Sequence, residues 1–345
     1  MRPPLAKRLV VLAGLFFSLV LIVLALWGID WHATWEGVRS SDYWYVLPTL
    51  GALALAIGVR TVRWWLLFAH ETRPPLRSVG NALLIGYFFN DMLPARTGEV
   101  ARVVALHQQA RTSRVEALAT ATAERMYDVL VLVALVLVAA PFLPEVTWLR
   151  AVIILGAAVA VVVVVTIALL GRFSGAPIRL LLRPLQWLPH VSAEWTERAS
   201  SHAVRGLASL RRPKVAAVAI VLTTVSWLLM AVSAWALLVG FNLPGGFGAA
   251  LLVVVATHLI EILPSLPASV GAFEAAAIVA LSAYGVDRSS ALSYALVLHM
   301  IYLVPLLVAG YAALHRHAIH LARPSVLVLG SAEESLRQSE VERNG

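Results

Sequence analysis

The sequence contains no cysteine and few charged residues. Of its 345 residues, 13% are charged and 60% are hydrophobic. The absence of cysteine excludes disulfide bonds, thiolate nucleophiles and cysteine-ligated metals. The scarcity of charge excludes an ordinary soluble domain, in which about 25% of residues are charged. The composition therefore indicates a polytopic membrane protein.

Long uncharged runs and the placement of arginine support this class. The run 151–170 has no charged residue and is long enough to cross a bilayer. The formal net charge is +8, and the arginines are grouped in particular loops, as the positive-inside rule and anionic lipid would have it. Nucleic-acid binding is therefore not expected. We expect a multi-pass protein of a bacterial-type cytoplasmic membrane, with both termini cytoplasmic.

A short motif occurs twice. The first copy reads Leu93-Pro94-Ala95-Arg96-Thr97-Gly98-Glu99, and the second reads Leu266-Pro267-Ala268-Ser269-Val270-Gly271, followed by Glu274. The two prolines lie 173 residues apart (267 − 94), half of the chain length of 345. Proline interrupts a helix, and an interruption in lipid is tolerated only where the backbone faces protein or water. Duplicated broken helices are typical of a transporter's binding site.

The distribution of basic residues predicts how these motifs lie in the membrane. Arginines on both sides of the first motif predict a re-entrant hairpin open to the cytoplasm, with its tip at 90–94 and a return helix at about 97–110. A second hairpin, at about 247–285, is expected to open to the outside. The residues assigned to the two helix breaks are Asn90, Pro94, Pro264, Pro267 and Gly271.

Full spans are expected at about 9–28, 45–69, 115–140, 148–170, 215–240 and 290–314. The predicted fold class is an all-α polytopic membrane protein with about six full spans plus two opposed re-entrant helical hairpins in an inverted repeat. We place the membrane domain at 1–323, with repeat halves at about 1–145 and 146–323. A disordered cytoplasmic tail is expected at 324–345.

Seven ionisable residues fall within elements that composition places at membrane depth: Glu99, Arg102, Glu124, Arg125, Asp128, Glu261 and Glu274. Each ionised group costs roughly 2.5–3.5 kcal/mol at the bilayer centre, so the set must pair or line a wet cavity. Two interpretations stay open. One is a structural ion-pair cluster in which Arg125 reaches Asp128 at i+3. The other is a polar site for a charged headgroup or for protons.

Several of these residues suit an anionic headgroup. Arg96, Arg102 and Arg125 carry the guanidinium fork that binds phosphate, and a half-helix beginning near Thr97 adds backbone donors. Glu261 and Glu274 flank the second break and could receive an amine or a proton. The candidate substrate-binding set is Arg96, Gly98, Glu99, Arg102, Glu124, Arg125, Asp128, Glu261 and Glu274.

Other polar residues have less specific patterns. For Arg60 and Arg63, one turn apart on the second span, snorkelling to the inner interface is one interpretation. His299, beside Tyr294 and Tyr302 in the sequence, is expected to be a hydrogen-bonded packing histidine rather than a proton relay.

Neither a metal nor a cofactor is expected. His258 and Glu261 resemble half of a helical di-iron set, but the reciprocal ligands are not evident. No Gly-rich phosphate loop, His-Glu-x-x-His or Gly-x-Ser-x-Gly motif occurs, so the chain is not expected to be an enzyme.

Three motifs, in order, resemble the lysylphosphatidylglycerol synthase transmembrane-region family, whose members look like the flippase half of the bacterial multiple-peptide-resistance factor. They are the segment 90–99 with Arg102, the pair Glu124-Arg125 with Asp128, and the segment 264–267 with Gly271 and Glu274. The resemblance covers roughly 5–320 and implies a lipid-translocating domain. It carries functional roles to Leu93, Pro94, Arg96, Gly98, Glu99, Arg102, Glu124, Arg125, Asp128, Pro267, Gly271 and Glu274.

The sequence departs from the longer members of that family at its C-terminus, where their fused aminoacyl-transferase domain has no counterpart. Lysine transfer is therefore not expected. Stand-alone members are associated, as the resemblance has it, with varied lipids, including isoprenoid-linked and hopanoid ones.

The function expected is a lipid flippase that moves an anionic phospholipid or an isoprenoid-phosphate-type lipid. Two alternatives stay open. One is a lipid-modifying transferase, for which Asp30 and Asp42 lie at the outer mouth. The other is an accessory subunit of a separate lipid synthase. The expected partners are membrane lipids with an anionic headgroup, and a homodimer and a separate synthase are considered as protein partners.

Overall fold

The computed structural model describes residues 20, 22–23, 26, 28–93, 97–144, 147–172, 184, 193–260 and 267–322. Within these ranges the regular elements are helices, and no strand is present. The predicted all-α class is confirmed. Most of the first expected span, at 9–28, and the whole tail at 324–345 lie outside the described residues.

Eleven helices are described in these ranges. They are α1 Trp31–Ser40, α2 Val46–Leu67, α3 Leu76–Met92, α4 Gly98–Ala110, α5 Arg114–Ala139, α6 Thr147–Arg172, α7 Ala193–Gly206, α8 Pro213–Gly240, α9 Gly246–Ile260, α10 Ala272–Ser282 and α11 Arg288–Ala322.

Four stretches of the described chain are long and apolar enough to cross a membrane: Tyr43–Leu67, Leu149–Leu170, Pro213–Gly240 and Arg288–Arg316. They coincide with four of the predicted spans. Helix α5 matches a fifth, at 115–140, but it carries Glu116, Glu124, Arg125 and Asp128 and is less apolar for that reason. The fold is that of a polytopic membrane protein.

Two pairs of shorter helices surround the predicted breaks. Helix α3 ends at Met92, Leu93 is extended (φ −119°, ψ 142°) and α4 begins at Gly98. Helix α9 ends at Ile260, a 3-10 turn covers Pro267–Ser269 and α10 begins at Ala272. The two helices of each pair pack against each other. Asn90 lies inside the last turn of α3, whereas Pro94 and Pro264 are outside the described residues.

The helix bounds follow the 173-residue offset of the two motifs. Shifted by 173, the bounds of α4 become 271 and 283, against 272 and 282 for α10. Shifted in the same way, α2 ends at 240, which is where α8 ends. At these three helix ends, the corresponding segments therefore agree to within one residue.

The helices of the two halves interlock around one main core. Helix α2 packs along α8, and α11 packs against α1, α3 and α10. The largest buried cluster takes residues from both halves, among them Leu53 of α2, Trp227 of α8 and Leu298 of α11. Within a membrane, van der Waals packing of these side chains holds the halves together.

Helix α7 packs against α5, closely enough that a Cβ on Gly206 would lie 2.5 Å from the Cβ of Ala119. Helix α7 is therefore fixed to the helical bundle.

Three aspartates cap helices at one end of the bundle. Asp30 accepts from the backbone N–H groups of α1, and Asp42 accepts from Trp44 N–H at 3.1 Å. Asp287 accepts from the N–H groups of Ser289 and Ser290, each at 3.0 Å. Hydrogen bonds from Ser290 and then Ser289 hold the pKa of Asp287 below its usual range. The two carboxylates considered for a transferase, Asp30 and Asp42, are thus engaged in capping.

Candidate functional site

Six residues from three helices form a charged cluster, which consists of Arg63, Glu99, Arg102, Glu124, Arg125 and Asp128. Helix α2 supplies Arg63, α4 supplies Glu99 and Arg102 one turn apart, and α5 supplies the other three. Arg63, Arg102, Glu124 and Asp128 are all less than one-tenth exposed. The three guanidinium groups and three carboxylates balance in charge.

Arg63 occupies the deepest position in the charged cluster, with 1% of its surface exposed. Its guanidinium lies 2.6 Å from a carboxylate oxygen of Glu124 and 2.6 Å from one of Asp128. It also donates to Thr223 Oγ1 at 2.9 Å. Snorkelling is therefore wrong for Arg63, because two buried carboxylates and a hydroxyl hold its side chain inside the bundle.

Further ion pairs connect the remaining residues of the charged cluster. The second oxygen of Glu124 lies 2.7 Å from Arg102, and Arg102 lies 2.5 Å from Glu99. Glu99 also pairs with Arg125, and Arg125 lies 3.7 Å from Asp128. Positive and negative groups thus alternate around a closed ring. Such alternation keeps charge inside a low-dielectric region, since every ion has an opposite neighbour.

The predicted contact of Arg125 with Asp128 is present but is the longest in the ring. The shorter contact of Arg125 is with Glu99, and the main partner of Asp128 is Arg63. Sequence reasoning could place Arg125 and Asp128 on one helical face, but Arg63 lies on another helix, 65 residues from Asp128. The only sequence signal for Arg63 was the presence of an arginine within an apolar span.

Two tryptophans border the charged cluster. The indole N–H of Trp227 donates to Asp128 at 3.2 Å, and the guanidinium of Arg102 lies 4.7 Å from the ring centroid of Trp64. Cation–π contact of this kind stabilises a guanidinium that has little access to water. The tryptophans thus separate the charges from the surrounding apolar side chains.

Arg60 lies beside the charged cluster but outside the ring. Its guanidinium lies 4.8 Å from the ring centroid of Trp227, and its Nη1 is 3.4 Å from the Tyr87 hydroxyl. Its Nε and Nη2 atoms are inaccessible and have no hydrogen-bond partner. Among the described residues, no carboxylate lies within ion-pair distance of it. Arg60 therefore adds a positive charge that the ring does not neutralise.

The first break is closed by tight backbone packing. The N–H of Gly98 donates to Asn90 Oδ1 at 2.9 Å, so the asparagine ties the end of α3 to the start of α4. A Cβ on Gly98 would lie 1.9 Å from the carbonyl oxygen of Gly86. Gly98 is therefore a close-contact residue between two helices. Arg96, predicted as a phosphate ligand, lies outside the described residues.

The second break contains a separate polar group. Glu274 accepts from the N–H of Gly271 at 2.7 Å, and its other oxygen lies 2.6 Å from Nδ1 of His299. Nε2 of His299 lies 2.9 Å from the carbonyl oxygen of Ala268. Phe273 stacks on the imidazole at 4.4 Å. Glu274 thus lies apart from the charged cluster, and Glu261 is outside the described residues.

The turn Pro267–Ser269 packs against α3, the helix that leads to the first break. Two of its residues, Ala268 and Ser269, have left-handed backbones with φ of 56° and 55°. Residues with a Cβ rarely adopt this conformation. The second break is therefore a strained turn held against the first hairpin.

The predicted site residues thus lie in different places: some in the charged cluster and others at the two breaks. The structure brings Glu99, Arg102, Glu124, Arg125 and Asp128 together and adds Arg63 to them. Gly98 and Gly271 shape the two breaks. In the described parts of the chain, no group of three or more histidines or acids is arranged to hold a metal ion.

Comparison with known proteins places this arrangement in a family. The family described as the lysylphosphatidylglycerol synthase TM region matches residues 11–310. The chain belongs to this family. The chain is also similar to a UPF0104 membrane protein of Methanothermobacter thermautotrophicus, which is 25% identical over 297 residues, covering 82% of this chain and 86% of the relative. The matched region includes both breaks and the whole charged cluster, which lie in a multi-pass membrane protein.

Proposed function

We propose that the chain is a lipid translocase that moves an anionic lipid across the membrane, with an isoprenoid phosphate or a phospholipid as the substrate class. The observation that carries the proposal is the contact between the turn Pro267–Ser269 and α3. Two interrupted helical pairs meet there, next to buried charge. Irregular backbone at membrane depth is stable where it lines a cavity, and paired broken helices surround the substrate in many transporters.

We interpret the two helical pairs as opposed re-entrant hairpins of an inverted repeat. The agreement of helix bounds at the 173-residue offset supports this interpretation. In such an arrangement one hairpin enters from each side of the membrane, and the breaks meet near the midplane. A lipid headgroup would then cross between the two breaks.

The charged cluster supplies a polar surface of balanced charge along this route. Its arginines are already paired with carboxylates, so a phosphate there would compete with Glu99, Glu124 and Asp128. Arg60 is different because it has two buried donors without an acceptor. A phosphate oxygen would satisfy these donors and neutralise the charge. We therefore assign Arg60, stacked on Trp227, as the anchor for the anionic headgroup.

A basic cleft offers an entry for an anionic headgroup. Its volume is about 1000 Å³, and it lies where α4 ends and α5 begins. Its charged lining comprises Arg73, Arg111, Arg114, Arg198 and Arg205 against Glu71 and Glu116. In the proposed topology this cleft faces the cytoplasm, so it would attract anionic lipid from the inner leaflet.

The test is translocation in proteoliposomes that contain a fluorescently labelled polyprenyl phosphate or phospholipid. The fraction of label that an added membrane-impermeant quencher cannot reach is followed with time. We expect Arg60→Gln to abolish transport and Arg60→Lys to weaken it, because lysine keeps the charge but loses the planar fork. The matched control is Arg39→Gln, since Arg39 also lies over a tryptophan, Trp35, but at the exposed end of α1.

Arg96 is tested in the same assay. It belongs to the first motif and is expected to contact the headgroup beside the start of α4. We expect Arg96→Ala to abolish translocation and Arg96→Lys to reduce it. Wild-type rates from both Arg60→Gln and Arg96→Ala would contradict a phosphate site at the first hairpin. Headgroup turnover without translocation would instead indicate the transferase.

A further inference from the structure

Both ring nitrogens of His299 face groups that accept hydrogen bonds. Nδ1 lies 2.6 Å from a carboxyl oxygen of Glu274, and Nε2 lies 2.9 Å from the carbonyl oxygen of Ala268. The other oxygen of Glu274 accepts from the N–H of Gly271 at 2.7 Å. His299 is 5% exposed and Glu274 is 6% exposed, so water does not replace these contacts.

These contacts determine how many protons the pair holds. A backbone carbonyl only accepts, so Nε2 of His299 must carry a hydrogen. A neutral imidazole has one N–H, which would leave a lone pair on Nδ1 facing an ionised carboxylate of Glu274. Two acceptors at 2.6 Å repel, so a second proton must lie between them, on Nδ1 or on the carboxyl oxygen. In either case the pair holds one proton more than a neutral histidine and an ionised glutamate would.

We propose that the second break is a proton-binding site, in which Glu274 and His299 share one proton that locks the turn Pro267–Ser269 to α10 and α11. The lock runs from the carbonyl of Ala268 through the imidazole of His299 to the first turn of α10. When the proton leaves, the imidazole can donate to Glu274 or to Ala268, but not to both. One end of the lock is then lost.

Loss of the hydrogen bond between His299 and Ala268 matters because of the backbone conformation of the turn. Ala268 and Ser269 are held in the left-handed region, with φ of 56° and 55°. Left-handed residues with a Cβ persist only where their surroundings impose them. Without its bond to His299, the turn relaxes away from α3, against which it now packs. The ligand of this site is the proton itself, and the site goes beyond the lipid route proposed above.

Among the described residues, the other titratable groups on the packed elements are engaged elsewhere or lie at a distance along their helices. On α11, the hydroxyls of Tyr294 and Tyr302 donate to the carbonyls of Ala234 and Met230. Glu274 is the only titratable residue of α10, and α8 has only Lys214, in its first turn.

The remaining packed helices carry few such groups. His258 of α9 contacts Trp227 and the carbonyl of Val254. The side chains of His32 and Glu36 on α1 are mostly exposed. Tyr87 of α3 contacts Arg60. Asp91 lies in the last turn of α3, so an Asp91→Asn variant belongs in the test.

The absence of cysteine permits a direct test on the whole protein in lipid nanodiscs. A single cysteine at Ala268, which is partly buried, reports release of the turn through its labelling by a small water-soluble thiol reagent. A cysteine at Val270, which is 42% exposed, corrects for the intrinsic effect of pH on thiols. We expect the ratio of the two rates to rise with pH by at most about tenfold per pH unit, the limit for release of one proton.

Variants of the pair should abolish the pH dependence in opposite ways. The amide of Glu274→Gln can accept from Gly271 and donate to Nδ1 of His299, so it mimics the proton-loaded state and should keep labelling low at every pH. His299→Gln can hold only one end of the lock and should keep labelling high. His70→Gln, at an exposed position, should retain the wild-type pH dependence.

Nitrogen-15 spectra of labelled histidines test the proton count without any change at the site. The His299 signal is identified by its loss in His299→Gln. We expect either a doubly protonated ring, or an Nε2-protonated ring whose Nδ1 accepts a hydrogen bond. A neutral ring protonated on Nδ1, a pH-independent labelling ratio in the wild type, or loss of the pH dependence in Asp91→Asn would each overturn the proposal. None of these readouts involves lipid transport, so they leave the proposed translocation untouched.

Discussion

Arg63 and Arg125 belong to the same charged cluster but are held very differently. Arg63 is 1% exposed and contacts two carboxylates and a hydroxyl. The side chain of Arg125 is 49% exposed, and its contact with Asp128 is 3.7 Å long. Coulombic interaction is strongest where water is excluded and distances are short. The stability of the charged cluster should therefore depend mainly on Arg63.

A pair of double-mutant cycles tests this difference. We expect Arg63→Gln or Asp128→Asn alone to lower the free energy of unfolding by about 3–5 kcal/mol, because each change strands a buried charge. The double variant should recover part of that loss. The cycle that combines Arg125→Gln with Asp128→Asn should give a smaller coupling energy. Unfolding is followed in detergent micelles, and equal coupling in the two cycles would contradict the assignment of Arg63 as the main partner.

At the scale of the element, glycine decides how the first hairpin closes. Gly86 of α3 and Gly98 of α4 let the two helix backbones approach until the position of a Cβ on Gly98 is 1.9 Å from a carbonyl oxygen. Small residues are the usual means of bringing membrane helices close together. The hydrogen bond from Gly98 to Asn90 then spans the break. The hairpin is thus held by backbone contact as well as by side chains.

This contact makes a sharp prediction for Gly98→Ala. The added methyl group cannot be accommodated by a side-chain rotation, since its nearest neighbour is backbone. We expect α3 and α4 to separate, with loss of both folded yield and translocation. The control is Gly51→Ala in α2, where a Cβ would meet nothing within 4 Å and should stabilise the helix by up to about 1 kcal/mol. Normal folding of Gly98→Ala would show that the hairpin is not closely packed there.

At the scale of the whole molecule, the proposed function depends on how the two hairpins are oriented in the membrane. From the basic residues around the first hairpin, we predict that both of its ends lie in the cytoplasm. In the proposed inverted repeat, the second hairpin lies on the opposite side. Opposed hairpins are what give both faces of the membrane an approach to the same breaks.

Single-cysteine reporters test this topology. We expect Ser78 and Ala110, at the two ends of the first hairpin, to be labelled from the cytoplasmic side. Phe241 and Asp287, at the two ends of the second, should be labelled from the outside. The measurement is labelling by a membrane-impermeant thiol reagent in intact cells and in inverted vesicles. Labelling of Ser78 and Ala110 from opposite sides would refute the inner hairpin, and the inverted repeat with it.

Much of the fold could be predicted from the sequence, because hydropathy and proline act within a single segment. The span expected at about 45–69 contains α2, Val46–Leu67, and the return helix expected at about 97–110 is α4, Gly98–Ala110. The same local signals located both breaks. They also identified charged residues within apolar segments, since an ionisable side chain is readily recognised in an apolar run. Charge placement and helix limits were thus determined by the sequence itself.

Partner choice was decided only by the tertiary structure. Arg63 of α2 pairs with Glu124 and Asp128 of α5. His299 of α11 pairs with Glu274 of α10. The contact of the second break with α3 likewise joins the two halves. Such pairings depend on how each helix is rotated and how far it is shifted along its neighbours. Helical periodicity sets which side chains share a face, but the packing of other helices determines what that face meets.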